Sequence, residues 1–439
     1  MADDTVLALL SEINGIASNA WKDQRQSLLT TTRSLVAALE AEDFDDQQQS
    51  KGEDNALTDK AWMFCMSPVG HAAAISAWQC GLLVKPWPRP VMTATELAAW
   101  LSPKQTVDPL LIGRLLRVLQ LYGVFEEIAE DTFRHTPLST RLSLTQDGSA
   151  AIGKTCHRLA MGVRGINGLP AYLTTFGYIN PGDTPSLFQW SNRTELDLFR
   201  HMAGESGGSQ LAAFHKTMVT AFEASRSAAG GRTALDQFPL QAMAEAAITR
   251  ANTINSPAFT IVDVGGGYGH VLTALRASLP SDLASRGRFV LEDLAESLGN
   301  VPESVADKRS GIELQPYDFL AETQPIVGAD VYIFRHILHD WFDTACRTIL
   351  QSTVQVMSLA SSKILLVEEV MPAVGASAWT TLIDVNLMSY GGMNRTLRQW
   401  EALVAFAGLR VAKVWPAVGS DQVLELVTDE RSLTGMTAK

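Results

Sequence analysis

Five short apolar runs in the last third of the chain, AFTIVDV, RFVLEDL, IELQPY, ADVYIF and KILLVEE, constrain the fold more than any other feature. They are rich in Val, Ile and Leu and nearly continuous in their apolar character, and helical patterns separate several of them. A strand that is apolar on both faces must be covered on both faces, and strands that alternate with helices are joined by crossovers. Together these demands require a parallel sheet between helical layers. Two further runs, RVAKVWPAV and QVLELVTD, lie close together after WEALVAFAGL, which predicts a terminal antiparallel hairpin on the sheet edge. Residues 251–439 therefore read as an α/β, Rossmann-like domain with a parallel sheet and an antiparallel end.

The residues ahead of that sheet carry helical patterns. Leu9, Leu10, Ile13 and Ile16, then Leu28, Leu29, Val36 and Leu39, recur at roughly helical spacing. The acidic, amide-rich EAEDFDDQQQSKGEDNA that follows has almost nothing to bury and reads as a flexible linker, so 1–57 is assigned to N-terminal helices and linker. From about Thr58 a second block includes AAAISAWQCGLL, apolar nearly all round. Such a helix asks for burial on every side, often by a partner subunit. Thr93 and Glu96 form a capping box, VDPLLIGRLLRVLQLYGVF is a long amphipathic helix stopped at Gly123, and FEEIAEDTFRHTPLS is a hairpin turning at Glu130 and Asp131. Helix, helix, hairpin is a winged-helix layout, assigned to 58–148. Glu126, Glu127, Glu130 and Asp131 fill the wing, and the net charge of −12 comes without any Lys and Arg cluster. The layout thus predicts packing or dimerisation and no nucleic-acid partner. Residues 149–250 are helical again, broken by NPGDTPS and SAAGGRT, and form a region suited to a substrate pocket.

With 46% apolar and 19% charged residues, the 439-residue chain can bury a large core. No apolar run approaches the roughly 18 residues that span a bilayer, and the acidic start lacks the basic flank of a signal peptide. Neither a membrane partner nor a secretory route is expected. Cys65, Cys80, Cys156 and Cys346 show no C-x-x-C spacing, so they read as reduced thiols of a cytoplasmic protein with no metal centre.

IVDVGGGYGHV sits where an open parallel sheet places its ligand, after the first strand and opening a helix. Gly265, Gly267 and Gly269 form G-x-G-x-G, and His270 stands where a dinucleotide fingerprint has its third glycine. The tighter loop suits an adenosyl group with an amino-acid tail and no pyrophosphate to seat. Glycines also serve ordinary tight turns. Three carboxylates strengthen the ligand reading: Asp263 before the loop, Asp293 at the end of the second run, where an acid can accept ribose hydroxyls, and Asp318 after the third.

Taken in order, VDVGGGYGHV, LEDL, YDFL, RHILHDWFD, LLVEEVMP, LIDVNLMSYGGMNRT and WEALVAFAGL resemble the S-adenosylmethionine-dependent O-methyltransferases of the plant caffeate type, in particular their fungal natural-product relatives. The resemblance runs from about Asp59 to Thr428. It implies a class I methyltransferase domain behind a helical dimerisation domain, a homodimer, and S-adenosyl-L-methionine as cofactor. It implies that Gly265 and Gly267 lie under the methionine part of the cofactor, with Asp263 beside them, that Asp293 holds the ribose, that Asp318 and Phe319 surround the adenine, and that Arg335 stands near the cofactor. Phe214 and Met218 are expected to cover the acceptor, His339 to act as general base and Glu368 to orient it. Where the family usually carries a second orienting glutamate, GGMNRT has Asn394, which offers a hydrogen bond without charge and weakens the expected base. His157, Asn386, Met388 and Tyr390 are further pocket candidates, while His336 and Trp341 read as structural.

Two function classes stay open at this level. Methyl transfer to a hydroxyl of a small aromatic or polyketide-derived metabolite needs the acceptor oxygen in line with the methyl carbon at about 3 Å, and a base that works near neutral pH. The alternative keeps the sulfonium as a fixed positive charge and catalyses dehydration or a pericyclic ring closure, hetero-Diels–Alder or Alder-ene, without transferring methyl. Intact His339 and Glu368 favour the first, and Asn394 favours the second.

Overall fold

The computed structural model describes residues 49–84, 86–102, 107–142, 166–181, 185–204, 208–250, 257–359 and 361–429. The helices expected over 4–41, together with Cys156 and His157, lie outside these residues. The first described helix, Gln49–Cys65, begins inside the stretch read as a linker. Its Gln, Lys, Glu and Ala content favours helix once an apolar continuation anchors it, and Ser67–Cys80 supplies that continuation.

The capping box forms as the sequence requires. Thr93 Oγ1 accepts from the Glu96 N–H at 3.2 Å, and Glu96 Oε2 accepts from the Thr93 N–H at 2.9 Å, starting the helix Ala94–Leu101. After the helix Pro109–Gln120 comes the expected hairpin, but it belongs to a three-stranded sheet. Strand β1 (Val91–Thr93) pairs with β3 (Thr132–His135), which pairs with β2 (Phe125–Ala129). Three residues are too few to display an alternation, so β1 leaves no mark in the sequence. Three of the four wing acids are paired: Arg117 bridges Glu127 and Asp131, and Arg134 holds Glu126.

Seven strands form the main sheet. Strands β4 (Phe259–Val264), β5 (Gly287–Asp293), β6 (Ile312–Pro316), β7 (Val331–Arg335) and β8 (Lys363–Glu368) are mutually parallel. Strands β9 (Leu409–Val414) and β10 (Gln422–Thr428) form the terminal antiparallel hairpin, giving the order β6-β5-β4-β7-β8-β10-β9. Successive residues supply opposite layers. Ile261, Leu291, Ile333 and Leu365 join one buried cluster, and Val262, Val290, Tyr332 and Ile364 join the other. That two-sided burial is why the runs are apolar throughout. The strand order reverses between β4 and β7, so the carboxyl end of β4 opens on a crevice.

Between 166 and 250 the chain forms short helices and one long one, Gly208–Ala228, and several of these reach the carboxyl end of the sheet. Among the described residues no helix is long and apolar enough to cross a membrane. Cys65, Cys80 and Cys346 are free thiols.

Candidate active site

The glycine loop leaves β4 at the crevice and turns at once into the helix His270–Ser278. Gly265 and Gly267 take φ of 70° and 58°, the left-handed region that a Cβ disfavours. Space forbids a side chain as well: a Cβ would meet Ile337 Cδ1 at 2.7 Å from Gly265 and His215 Nδ1 at 2.8 Å from Gly267. The loop is cross-braced by Asp293, whose Oδ2 accepts from the Gly267 N–H at 2.8 Å and whose Oδ1 accepts from the Leu294 N–H at 2.8 Å.

Asp263 lies beneath the loop, 1% exposed, with Oδ2 unpartnered and 2.5 Å from where a Gly266 Cβ would stand. Burial pushes its carboxyl up to about 7, against the opposing pull of Arg335. It supports the floor of the crevice from below. Asp318 lies two residues past the end of β6 and is held from the helical region, with Arg200 Nη2 donating to its Oδ2 at 2.6 Å. Arg200 also reaches Asp197 at 2.8 Å. Around these groups Leu294, Ala295, Tyr317 and Glu322 line a cavity of about 350 Å³.

Aromatic rings form a continuous wall across the crevice. Phe319 meets Trp341 edge-on at 5.8 Å, Trp341 meets Phe199 at 5.7 Å, Phe199 meets Phe214 at 5.8 Å, and His215 lies between Phe214 and Tyr268 of the glycine loop. The expected Phe214 and Phe319 thus share one surface. Phe199, Arg200 and His215 belong to the site too, although no sequence signal marked the first two and His215 passed unassigned inside FHKTM. Met218 and Met388 are half-buried on the helices Gly208–Ala228 and Ala378–Met388. Asn386 lies in the last turn of the latter helix and Tyr390 two residues past its end, with Tyr390 pushed well up by burial and then by Asp340.

His339 occupies a 3₁₀ turn, Leu338–Asp340, between β7 and the helix Asp343–Val354. Ile337, two residues earlier, packs on Gly265, so the turn stands directly against the loop. His339 Nδ1 is 3.2 Å from Oε2 of the fully buried Glu368, a contact without the alignment of a full hydrogen bond, while Glu368 Oε1 accepts from the His339 backbone N–H at 3.3 Å. On the other side His339 Nε2 is 3.5 Å from Asp340 Oδ1. Burial, and then His336, push the imidazole well below its usual range. Burial, and then Asp340, push the Glu368 carboxyl well up, and burial does the same to Asp340.

Asn394 does not share this contact. Its amide donates to Thr380 O at 3.4 Å, its backbone N–H to Asp384 at 2.8 Å, and its Oδ1 is buried without a partner. The neighbouring residue serves the turn instead. Arg395, 1% exposed, donates to Leu338 O at 3.0 Å, to Trp341 O at 2.9 Å and to Asp343 at 2.7 Å. Arg335, expected beside the cofactor, is committed to Asp421 at 2.9 Å and lies over the Phe222 ring.

Comparison with known proteins bears on this crevice. A family profile described as an O-methyltransferase domain matches residues 213–410. The O-methyltransferase asqD of Emericella nidulans is 32% identical over 362 residues, 82% of this chain and 86% of that protein. Among solved structures, OxaC in complex with SAH and oxaline superimposes with a TM-score of 0.74 at 23% identity, covering 98% of this chain and 100% of that one. A structure described as a pericyclic reaction enzyme superimposes with a TM-score of 0.68 at 25% identity, over 97% of this chain and 99% of that one.

Proposed function

The chain belongs to the O-methyltransferase family, and from that premise we propose that His339 takes the proton from a hydroxyl of a small aromatic or polyketide-derived metabolite as that oxygen is methylated. One observation carries the assignment: the turn bearing His339 packs on the glycine loop through Ile337, with a buried carboxyl group 3.2 Å from the ring. The cofactor is S-adenosylmethionine, and the crevice fits it. Its two left-handed glycines leave bare backbone where a Cβ would clash, beside the Asp293 carboxylate. The bound cofactor supplies a sulfonium methyl, the electrophile of the reaction. Gly265, Gly267 and Asp293 would hold its methionine and ribose parts, and Asp318 and Phe319 its adenine.

The residues of the chain then have three tasks. The aromatic wall from Phe319 to Phe214 excludes water and gives a flat acceptor a surface to lie on. His339, kept neutral by burial, has one unprotonated ring nitrogen to receive the proton. Glu368 and Arg395 hold the turn so that this nitrogen stays where the hydroxyl arrives.

A second reading rests on Asn394. With an amide turned toward Thr380 in place of a second carboxylate, the base has less support for a positive charge, which suits an enzyme using the cofactor as a fixed cation for ring closure. The likeness to a pericyclic reaction enzyme keeps this alternative in view. Incubation with methyl-labelled cofactor and a panel of phenols and pyridones separates the two. Label in the product with one equivalent of S-adenosylhomocysteine is expected for methyl transfer, whereas an unlabelled isomer of the substrate, formed only with cofactor present, would overturn it. The four-part division of the chain, and a homodimer built on the exposed apolar residues Trp62, Phe64 and Met66 of the N-terminal helices, are part of the same proposal.

A further inference from the structure

A second imidazole–carboxylate pair lies directly against the first. His336, in the segment between β7 and the turn of His339, takes φ of 52°, a left-handed conformation that a residue with a Cβ keeps only where its surroundings fix it. Its N–H donates to Val367 O at 3.0 Å, and its Nε2 is 2.9 Å from Asp421 Oδ1. Asp421 comes from the turn between β9 and β10, and its Oδ2 accepts from Arg335 at 2.9 Å. Burial works to raise the Asp421 carboxyl, but His336 and then Arg335 overcome it and hold the group well below the usual carboxylate range. An ionised carboxylate only accepts, so Nε2 of His336 is the donor. The far side of the His336 ring stacks on His339, with centroids 5.2 Å apart and planes 23° from parallel.

We propose that His336, anchored by Asp421, is a positioning residue for the proton transfer: its ring, stacked on His339 and standing between that ring and Asp421, sets the plane and the electrostatic surroundings of the base. The inference rests on the reading of His339 as base. His339 is faced by Glu368 from β8, Asp340 from its own turn, Arg335 from β7, Arg395 from the segment ahead of the helix Leu397–Phe406, and Asp421 from the hairpin tip. After burial, His336 is the strongest of the influences that disfavour a charged His339, and Asp421 opposes it. His336 itself faces Asp421 and Arg335, and more remotely His270 at the start of its helix. Stacking on an anchored ring gives the base a fixed plane.

The experiment uses three variants of the whole chain. His336→Phe keeps a flat ring on His339 but removes the Nε2 donor and with it the pairing to Asp421. His336→Asn suits the left-handed backbone, so a folded variant is available even where phenylalanine strains the segment. His339→Ala identifies the base and its NMR resonance. Two quantities are followed: the pH profile of kcat/KM with methyl-labelled cofactor, and the titration of the His339 ring by NMR.

With the His336 imidazole no longer pairing with Asp421, that carboxylate acts on His339 unopposed, and His339 should protonate at higher pH. The acid limb should therefore move up by about one unit, an approximately tenfold loss at pH values below the wild-type limb with little change near pH 8.5. The His339 resonance should move with it in both His336 variants. An unmoved limb and an unmoved titration, with any loss of rate spread evenly over pH, would show that His336 is structural only. If His339→Ala keeps its activity, the base reading fails instead, while the NMR titration still decides whether His336 governs the ring.

Discussion

His339 lies among ionisable groups that burial presses toward their neutral forms: the imidazole is pushed down, and Glu368 and Asp340 are pushed up. A neutral imidazole can receive a proton, so His339→Ala should cost on the order of 10²- to 10⁴-fold in kcat, measured with methyl-labelled cofactor. Glu368→Ala should cost at least roughly ten times more in kcat than Asn394→Ala, because only Glu368 touches the ring. Two carboxyls away from His339 carry a pH signature of stability. Burial raises Asp263 from 3.8 to about 7 and Glu292 from 4.5 to about 7. A carboxyl whose folded form prefers the proton contributes stability that is complete below its ordinary value and is lost as the pH rises through 7. Urea midpoints should therefore fall between pH 5 and 8, and fall less in Asp263→Asn. Aspartates at strand ends were legible in the sequence. That Asp263 would lie under the loop while Asp293 braces it was not, because both end strands and differ only in how the chain folds over them.

The turn Leu338–Asp340 shows how an element is held from outside its own sequence. Three residues make no helix by propensity, and the carbonyls of Leu338 and Trp341 find their donor in Arg395. Gly392 completes the fit, since a Cβ there would lie 2.0 Å from His339 O. Arg395→Ala removes the charged donor of the Leu338 and Trp341 carbonyls, which keep only weaker bonds to the Trp341 N–H and the Cys346 thiol, and should cost about 2 kcal/mol, read as a lower urea midpoint at unchanged slope. Arg395→Lys should recover little of it, because one ammonium cannot reproduce the planar fork. Motif reading placed attention on the Asn394 side chain and passed over the arginine beside it. The glycine loop is the opposite case: its turn follows from local residues. Gly267→Ala combines a left-handed backbone with contact on His215, so it should destabilise the fold by about 1 kcal/mol or more and abolish the calorimetric signal for S-adenosylhomocysteine.

Across the whole molecule the helices of 166–250 meet the sheet at the same crevice that the sheet opens, through Arg200 on Asp318, Phe199 on Trp341 and His215 against Ser297. A ligand bound between them stabilises both at once. Saturation with S-adenosylhomocysteine at about 100 times its Kd should raise the unfolding free energy by about 2.7 kcal/mol, in the His339→Ala variant as in the wild type. The exposed Trp62, Phe64 and Met66 lead to a further expectation: sedimentation should show a dimer, and Phe64→Glu should shift it toward monomer.

The parallel sheet, its antiparallel end, the capping box and the glycine turn were decided by the amino-acid sequence alone, because each depends on residues within a few positions of one another or on strands apolar on both faces. The partners of the site were decided only by tertiary structure. Arg200 with Asp318, His336 with Asp421 and Arg395 with the turn of His339 are joined by strand order and by loops crossing the end of the sheet, and no local spacing encodes a contact of that kind.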